Sequence, residues 1–366
     1  MKPDTTNYTP IDYAKEACDN IIRRFTPNEL PPAERFHYHQ GVSLAGMQKT
    51  WKLTGEQKYF DYIKAWVDKH IDEKGVVHNS NTYELDDIQP GILLYDIYEK
   101  TGDERYKIAL DDLIARLKKM PRTPEGGFEH KPAPGNQLWL DSLYMGGPIL
   151  ATYGKVFNDP LCFEIVVFNA ILMEARTRDP KTGLLYHAYD VLRERPWADP
   201  VTGCSPEFWC RAIGWVPVAI YEDLDYMPEL FFGVDEMKRI ASDLLHALVP
   251  FQDEKTGLWY EVVNRGDDPA NWLETSSTCL YAAAIAKGIV RGWLDPALRP
   301  VAEKAYEGVI SRLQWDENGI VVNGVCIGTG VGDYQWYIDR PTTQNDLHGM
   351  GAFLHMCVAM EELRKM

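Results

Sequence analysis

The chain has 366 residues, enough for two or three ordinary domains of roughly 100–200 residues each, or for one large barrel. At 45% hydrophobic and 25% charged residues it is not a disordered or low-complexity chain, and a formal charge of −16 argues against a nucleic-acid backbone or an anionic membrane as partner. The 11 Trp, 20 Tyr and 12 Phe exceed what a core of this size needs and supply faces on which sugar rings stack.

In chain order, an amphipathic outer helix is predicted at about 10–25, followed by an inner helix at about 38–53 that is richer in Gly, Ala and aromatics. Outer helices at about 57–71, 104–120 and 237–251 and inner helices at about 86–100, 140–157, 208–225, 273–291 and 345–364 continue the pattern. Five segments punctuate it with one shape: an acidic or polar turn, a Gly, a short apolar run and a polar residue. They are DEKGVVH ending at His78, TPEGGFEH at His130, DPKTGLLYH at His187, DEKTGLWYE at Glu261 and DENGIVVN at Asn323. Six outer–inner pairs imply an all-α chain, an (α/α)6 barrel of helical hairpins, with residues 1–366 forming one domain. In such a ring the inner-helix starts and the Gly-turn ends converge on one mouth, where a ligand site is expected.

Seven scattered Cys without a CxxC pair indicate neither a disulfide framework nor a zinc site. The first residues hold no apolar leader and no run of about 18 apolar residues occurs anywhere, so a cytoplasmic protein is expected.

Several residues at the predicted mouth carry chemistry. Asp141 opens a helix between Trp139 and Tyr144, and a carboxyl among aromatic rings is expected to have a raised pKa that suits proton transfer. An Asp at that position also serves as an N-cap. Asp86 and Asp87 stand at another helix start, where one of them is expected to cap, and Asp86 would share a proton with Asp141 if the two face each other. Arg211, between Trp209 and Trp215, offers a fork for a carboxylate or a partner for a neighbouring helix, and Gly214 suggests a close approach. His130, Lys131 and His187 stand at repeat ends, where a histidine is either structural or a ligand-binding group. No HExxH spacing, P-loop, GxSxG elbow or dinucleotide fingerprint occurs, so neither metal nor cofactor is expected, and the Gly-rich stretch 323–341 reads as a loop folded over the mouth.

The strings HYHQGV (37–42), LDDIQPG (85–91), HKPAPGNQLWLDSLYM (130–145), GLLYH (183–187), FWCRAIGW (208–215) and GTGVGDYQWYIDRP (328–341) together resemble the unsaturated rhamnogalacturonyl hydrolases, glycoside hydrolase family 105. The resemblance runs from about residue 36 to 365 in one order, and it too implies an (α/α)6 barrel. It implies an unusual glycosidase reaction on a lyase-generated oligosaccharide with a C4=C5 double bond in its terminal uronic acid. Asp141 would protonate C4, water would add at C5, and the resulting hemiketal would open and release the remaining saccharide, without the glycosyl–enzyme intermediate of two-carboxylate glycosidases. Tyr38, His39, Asp86, His130, Lys131, Pro132, Ala133, Pro134, Trp139, His187, Trp209, Arg211, Trp215, Thr329 and Gly330 would contact the sugar, with Arg211 or His187 meeting its carboxylate. Ala212 and Ile213 depart from the Gly and Asn of some members. The rival readings are an unsaturated glucuronyl hydrolase acting on glycosaminoglycan fragments and a non-catalytic carbohydrate-binding toroid. The partner is a small oligosaccharide in the first two cases, and the oligomeric state is left open.

Overall fold

The computed structural model describes residues 3–131 and 135–366. Its outer–inner pairs are α1 (Pro10–Arg24) with α2 (Tyr38–Thr54), α3 (Gln57–His70) with α4 (Leu94–Thr101), α5 (Glu104–Lys118) with α6 (Asp141–Val156), and α7 (Pro160–Thr177) with α8 (Cys210–Leu224). Then come α9 (Val234–Leu248) with α10 (Thr275–Val290), and α11 (Arg299–Ser311), which leads through the short α12 (Tyr334–Ile338) to α13 (Leu347–Lys365). The inner segments α2, α4 with its preceding turns, α6, α8, α10 and α13 pack in that order, and α13 closes on α2. This closed ring of hairpins is the (α/α)6 barrel that the repeat implies.

Local chemistry explains the elements. Thr9 and Asp12 form a capping box at α1, and prolines occupy the first turns of α1, α7 and α11, where a missing N–H costs nothing. The outer α9 buries one stripe of Val, Met, Ile and Leu, whereas α10 buries nearly every residue from Thr275 to Ile289. The glycine of each punctuating segment, at 75, 126, 183, 257 and 319, has φ between 75° and 113°, so the repeated motif is a left-handed turn. At Gly257 a Cβ would also lie 2.4 Å from the Lys304 carbonyl oxygen.

The predicted helix at 86–100 is only half α-helical. Leu85–Asp87 and Gln89–Leu93 are 3-10 turns, because Pro90 has no N–H to give the preceding turn and its ring crowds that turn's carbonyl. Neither Asp86 nor Asp87 caps a helix here. Asp87 instead accepts the Asn81 amide at 2.9 Å and pairs with Arg35 at 2.6 Å.

Short antiparallel ribbons ride on one end of the ring: β1 (Gln137–Trp139) with β2 (Ala188–Asp190), β3 (Trp259–Tyr260) with β4 (Leu273–Glu274), β5 (Gln314–Asp316) with β6 (Gly319–Val321), and β7 (Val325–Cys326) with β8 (Thr342–Thr343). One contiguous apolar core runs through the barrel, and all seven cysteines are free and buried within it. Among the described residues, no helix is long and apolar enough to cross a membrane.

Candidate active site

The site grows from the register of one ribbon. Trp139 faces Ala188 across β1 and β2, and one step further the Leu140 amide donates to the His187 carbonyl at 3.1 Å. That register carries His187 to the start of α6, where its Nε2 lies 3.2 Å from Asp141 Oδ2. The N-cap of α6 is Leu140, with no side-chain cap, so Asp141 is the first helical residue and its carboxylate is turned to His187 instead of capping.

Behind His187, the Tyr337 hydroxyl lies 2.7 Å from Nδ1 and accepts the Gly332 amide at 3.3 Å. A carboxylate only accepts, so the proton between His187 and Asp141 sits on Nε2, and in that tautomer Nδ1 accepts the Tyr337 hydroxyl. His187 is fully buried, flanked by Trp139 at 5.4 Å and Trp209 at 4.7 Å.

Burial works against a charge on Asp141, but the His187 hydrogen bond and the electrostatic effect of the His187 and His130 rings outweigh it, leaving the carboxyl below its ordinary value. This corrects the raised value expected from the aromatic surroundings alone: the aromatic shell is there, but it includes a histidine aimed at the carboxylate. Asp86 is more deeply buried, yet His130, Lys131 and His37 hold its carboxyl down at about 2. Lys131 Nζ sits 2.6 Å from Asp86 Oδ2, and His130 Nε2 lies 3.7 Å from Oδ1. The expected shared-proton pair of Asp86 and Asp141 does not form, because each carboxylate has its own cationic or N–H partner.

Asp86, His130, Lys131 and Asp141 line a cavity of about 60 Å³ together with Tyr38, Trp139, Met145, Trp209, Arg211, Trp215 and Thr329. Arg211 is buried and donates to the Cys326 and Ile327 carbonyls at 2.7 and 2.8 Å, with its fork 4.6 Å from the Trp209 ring. It is thus first an anchor for the Gly-rich segment. Both ring nitrogens of His187 are engaged, which places it beside Asp141 and not as a free carboxylate donor. Trp215 stacks on Tyr144 at 4.6 Å, and Trp139 stacks on His130 at 4.8 Å. Gly330 borders Trp139, a Cβ there lying 3.9 Å from the indole. Gly214 makes room for Leu280 of α10 and not for a ligand.

His39 follows Tyr38 but is not among the cavity's lining residues, and its ring turns to His37 and Asp346. Pro132, Ala133 and Pro134 lie outside the described residues. Of the repeat-end residues, His130, His187 and Glu261 converge on this end, while His78 is half exposed and pairs with Asp72. Glu261 accepts the Trp209 indole N–H at 2.8 Å, and burial next to Glu274 pushes its carboxyl up to about 7.

Sequence reasoning missed Tyr337, whose only signal was its place among aromatics in the Gly-rich stretch. It also left Glu261 unused, although the repeat set it level with His130 and His187. A larger cavity of about 280 Å³ lies at the helix C-termini, but there Lys49 and Lys287 bond Glu222 at 2.6 and 2.7 Å, so its charges compensate one another.

Comparison with known proteins agrees with this fold. The model of Glycosyl Hydrolase Family 88 matches residues 13–364. A family 105 glycoside hydrolase of C. acetobutylicum superposes with a TM-score of 0.91 at 32% identity, covering 97% of this chain and 99% of that one. The unsaturated rhamnogalacturonyl hydrolase YesR of Bacillus subtilis is 26% identical over 313 residues, 82% of this chain and 86% of its own. The unsaturated glucuronyl hydrolase of Bacillus sp. GL1 shares the fold, with a TM-score of 0.71 at 15% identity over 95% of each chain. With a family model matched almost end to end and a near-complete structural relative, the chain belongs to the glycoside hydrolases of the family 88 and 105 group.

Proposed function

We propose that the protein removes a 4,5-unsaturated galacturonic acid from the non-reducing end of lyase-generated rhamnogalacturonan oligosaccharides, a step of pectin breakdown. The observation that carries this reading is Asp141: a carboxylate only 13% exposed with no capping task, hydrogen-bonded to His187 and ringed by Trp139, Trp209 and Trp215. The similarity to YesR supports the substrate class. All of 1–366 acts as one catalytic domain, and the free buried thiols support a reducing, cytoplasmic setting.

In this reading Arg211, through N–H groups beyond its carbonyl bonds, and Lys131 meet the uronate carboxylate. The anion bound beside Asp141 raises that carboxyl's pKa and opposes the effect of His187, so Asp141 holds a proton in the complex. The proton passes to C4 as the double bond's electrons form the new C–H bond. Positive charge develops at C5 and the ring oxygen, water adds at C5, and its proton returns to Asp141. The hemiketal then opens and the saccharide departs from C1. Tyr38, Asp86, His130 and Thr329 hold the sugar hydroxyls, while Gly330 borders it.

The test is the loss of ultraviolet absorbance of the unsaturated uronate when purified protein meets a lyase-generated rhamnogalacturonan disaccharide. Asp141→Asn is expected to lower kcat by about 10²–10⁴ while remaining folded. Wild-type turnover in a folded Asp141→Asn would end the assignment. Turnover of a chondroitin-derived disaccharide alone would move the protein to the glucuronyl reading, and binding without turnover of either would make it a carbohydrate-binding toroid.

A further inference from the structure

We propose that His39, Asp346 and His348 form a binding site for a divalent transition metal of the zinc class, at the seam where the first and last inner helices close the ring. His39 is the second residue of α2, Asp346 is the N-cap of α13, and His348 is that helix's second residue. The three ligand atoms lie within 4.8 Å of one another.

The hydrogen bonds around the cluster point its lone pairs inward. His348 Nε2 donates to the Cys326 carbonyl at 2.9 Å, and a carbonyl only accepts, so in the neutral ring Nδ1 is a bare lone pair. That nitrogen is completely buried. It lies 2.8 Å from Asp346 Oδ1, within ion-pair distance but outside hydrogen-bond alignment, so a metal seated between the two would satisfy both. A buried imidazole that gives one N–H to a backbone carbonyl and aims its other nitrogen past a carboxylate is the arrangement that metal-ligating histidines adopt.

His39 completes the set. Its Nδ1 lies 3.0 Å from His37 Nδ1, and a proton donated to His37 leaves His39 Nε2 bare, 3.9 Å from the same Asp346 oxygen. Bonds of about 2.0–2.1 Å from a tetrahedral zinc would separate its ligands by about 3.3 Å. The separations of 2.8 and 3.9 Å bracket that value. Two imidazoles and one carboxylate leave the fourth position open. The neighbouring cluster of His37, Glu84 and Asp86 has no such opening, since Lys131 already stands 2.6 Å from Asp86 and 3.3 Å from Glu84. The Arg211 charge also reaches Asp346, but its fork is fastened to the Cys326 and Ile327 carbonyls.

A metal here would tie α2 to α13 and, through His348, steady the Cys326 end of the Gly-rich segment. The inference does not depend on the catalytic reading, and its test needs no substrate. Protein stripped with EDTA is dialysed against micromolar Zn2+, and bound zinc is measured by mass spectrometry alongside the thermal midpoint. About one zinc per chain and a higher midpoint are expected for the wild type. The partly exposed His39 and Asp346 allow His39→Ala and Asp346→Asn to fold, which their midpoints in EDTA verify, and His39→Gln replaces a variant that does not. Both are expected to bind zinc at least about tenfold more weakly. Less than about a tenth of an equivalent on the wild type, or zinc retained by either folded variant, overturns the site.

Discussion

Asp141 feels opposed influences, and the balance between them is set by one hydroxyl that touches no part of the cavity. Tyr337 gives its proton to His187 Nδ1 and so fixes which face of the ring meets Asp141. Tyr337→Phe removes that proton donor and frees the other tautomer, which presents a lone pair to the carboxylate. It is expected to lower kcat about tenfold or more with KM little changed, and to shift the pH profile of kcat. A role limited to packing would leave kcat and its pH profile intact in the folded fraction. Glu261 makes a second prediction, on stability. Its carboxyl is raised from an ordinary 4.5 to about 7 by burial and by Glu274, so the folded state keeps a proton that the unfolded chain has already lost. The sign follows: its stabilising effect is complete below pH 4.5 and declines as pH rises through about 7, by about 3 kcal/mol in all. Glu261→Gln keeps an oxygen for the Trp209 indole and should flatten the fall of Tm between pH 5 and 8; an unchanged slope would remove Glu261 from that role. At this scale the sequence marked Asp141, Asp86, His130 and His187 through helix starts and repeat ends. The protonation of these groups was not legible, since it depends on which N–H faces which carboxylate, and ribbon register decides that.

The helices were legible because each carries its period and its punctuation, and the exception is instructive. Periodicity over 86–100 read as one helix, yet Pro90 divides it into 3-10 turns before α4, so Asp86 sits on a turn facing the cavity and not in a cap. The stretch 323–341 read as a loop over the mouth but is more ordered than that. It holds β7 and α12, and Arg211 pins it from below through two carbonyls. Arg211→Lys retains the charge but cannot span both oxygens. It should cost about 1.5–3 kcal/mol of stability, raise KM and quicken proteolytic cleavage within 326–341. Unchanged KM and cleavage would show that the segment holds its place without this clamp.

At the scale of the molecule, the ring closes where α13 meets α2, a contact between chain ends that no local pattern encodes; only the count of hairpins implied it. The same closure gathers the site cations Lys131 and Arg211 at one mouth of a molecule whose formal charge is −16. An anionic uronate therefore meets two fields. The overall field repels it and acts over distances longer than the Debye length of about 8 Å at physiological salt, whereas the site cations act at contact. Added salt screens the long-range field first, because buried or partly buried pairs are shielded from ions. For a substrate carrying the free uronate, kcat/KM should thus rise, by about twofold, as ionic strength goes from about 0.01 to 0.15 M. The methyl ester of the same substrate should show no such rise. A fall of kcat/KM with salt for the free acid would mean that the mouth's own cations govern encounter, and that the net charge of the chain has no part in how substrate arrives.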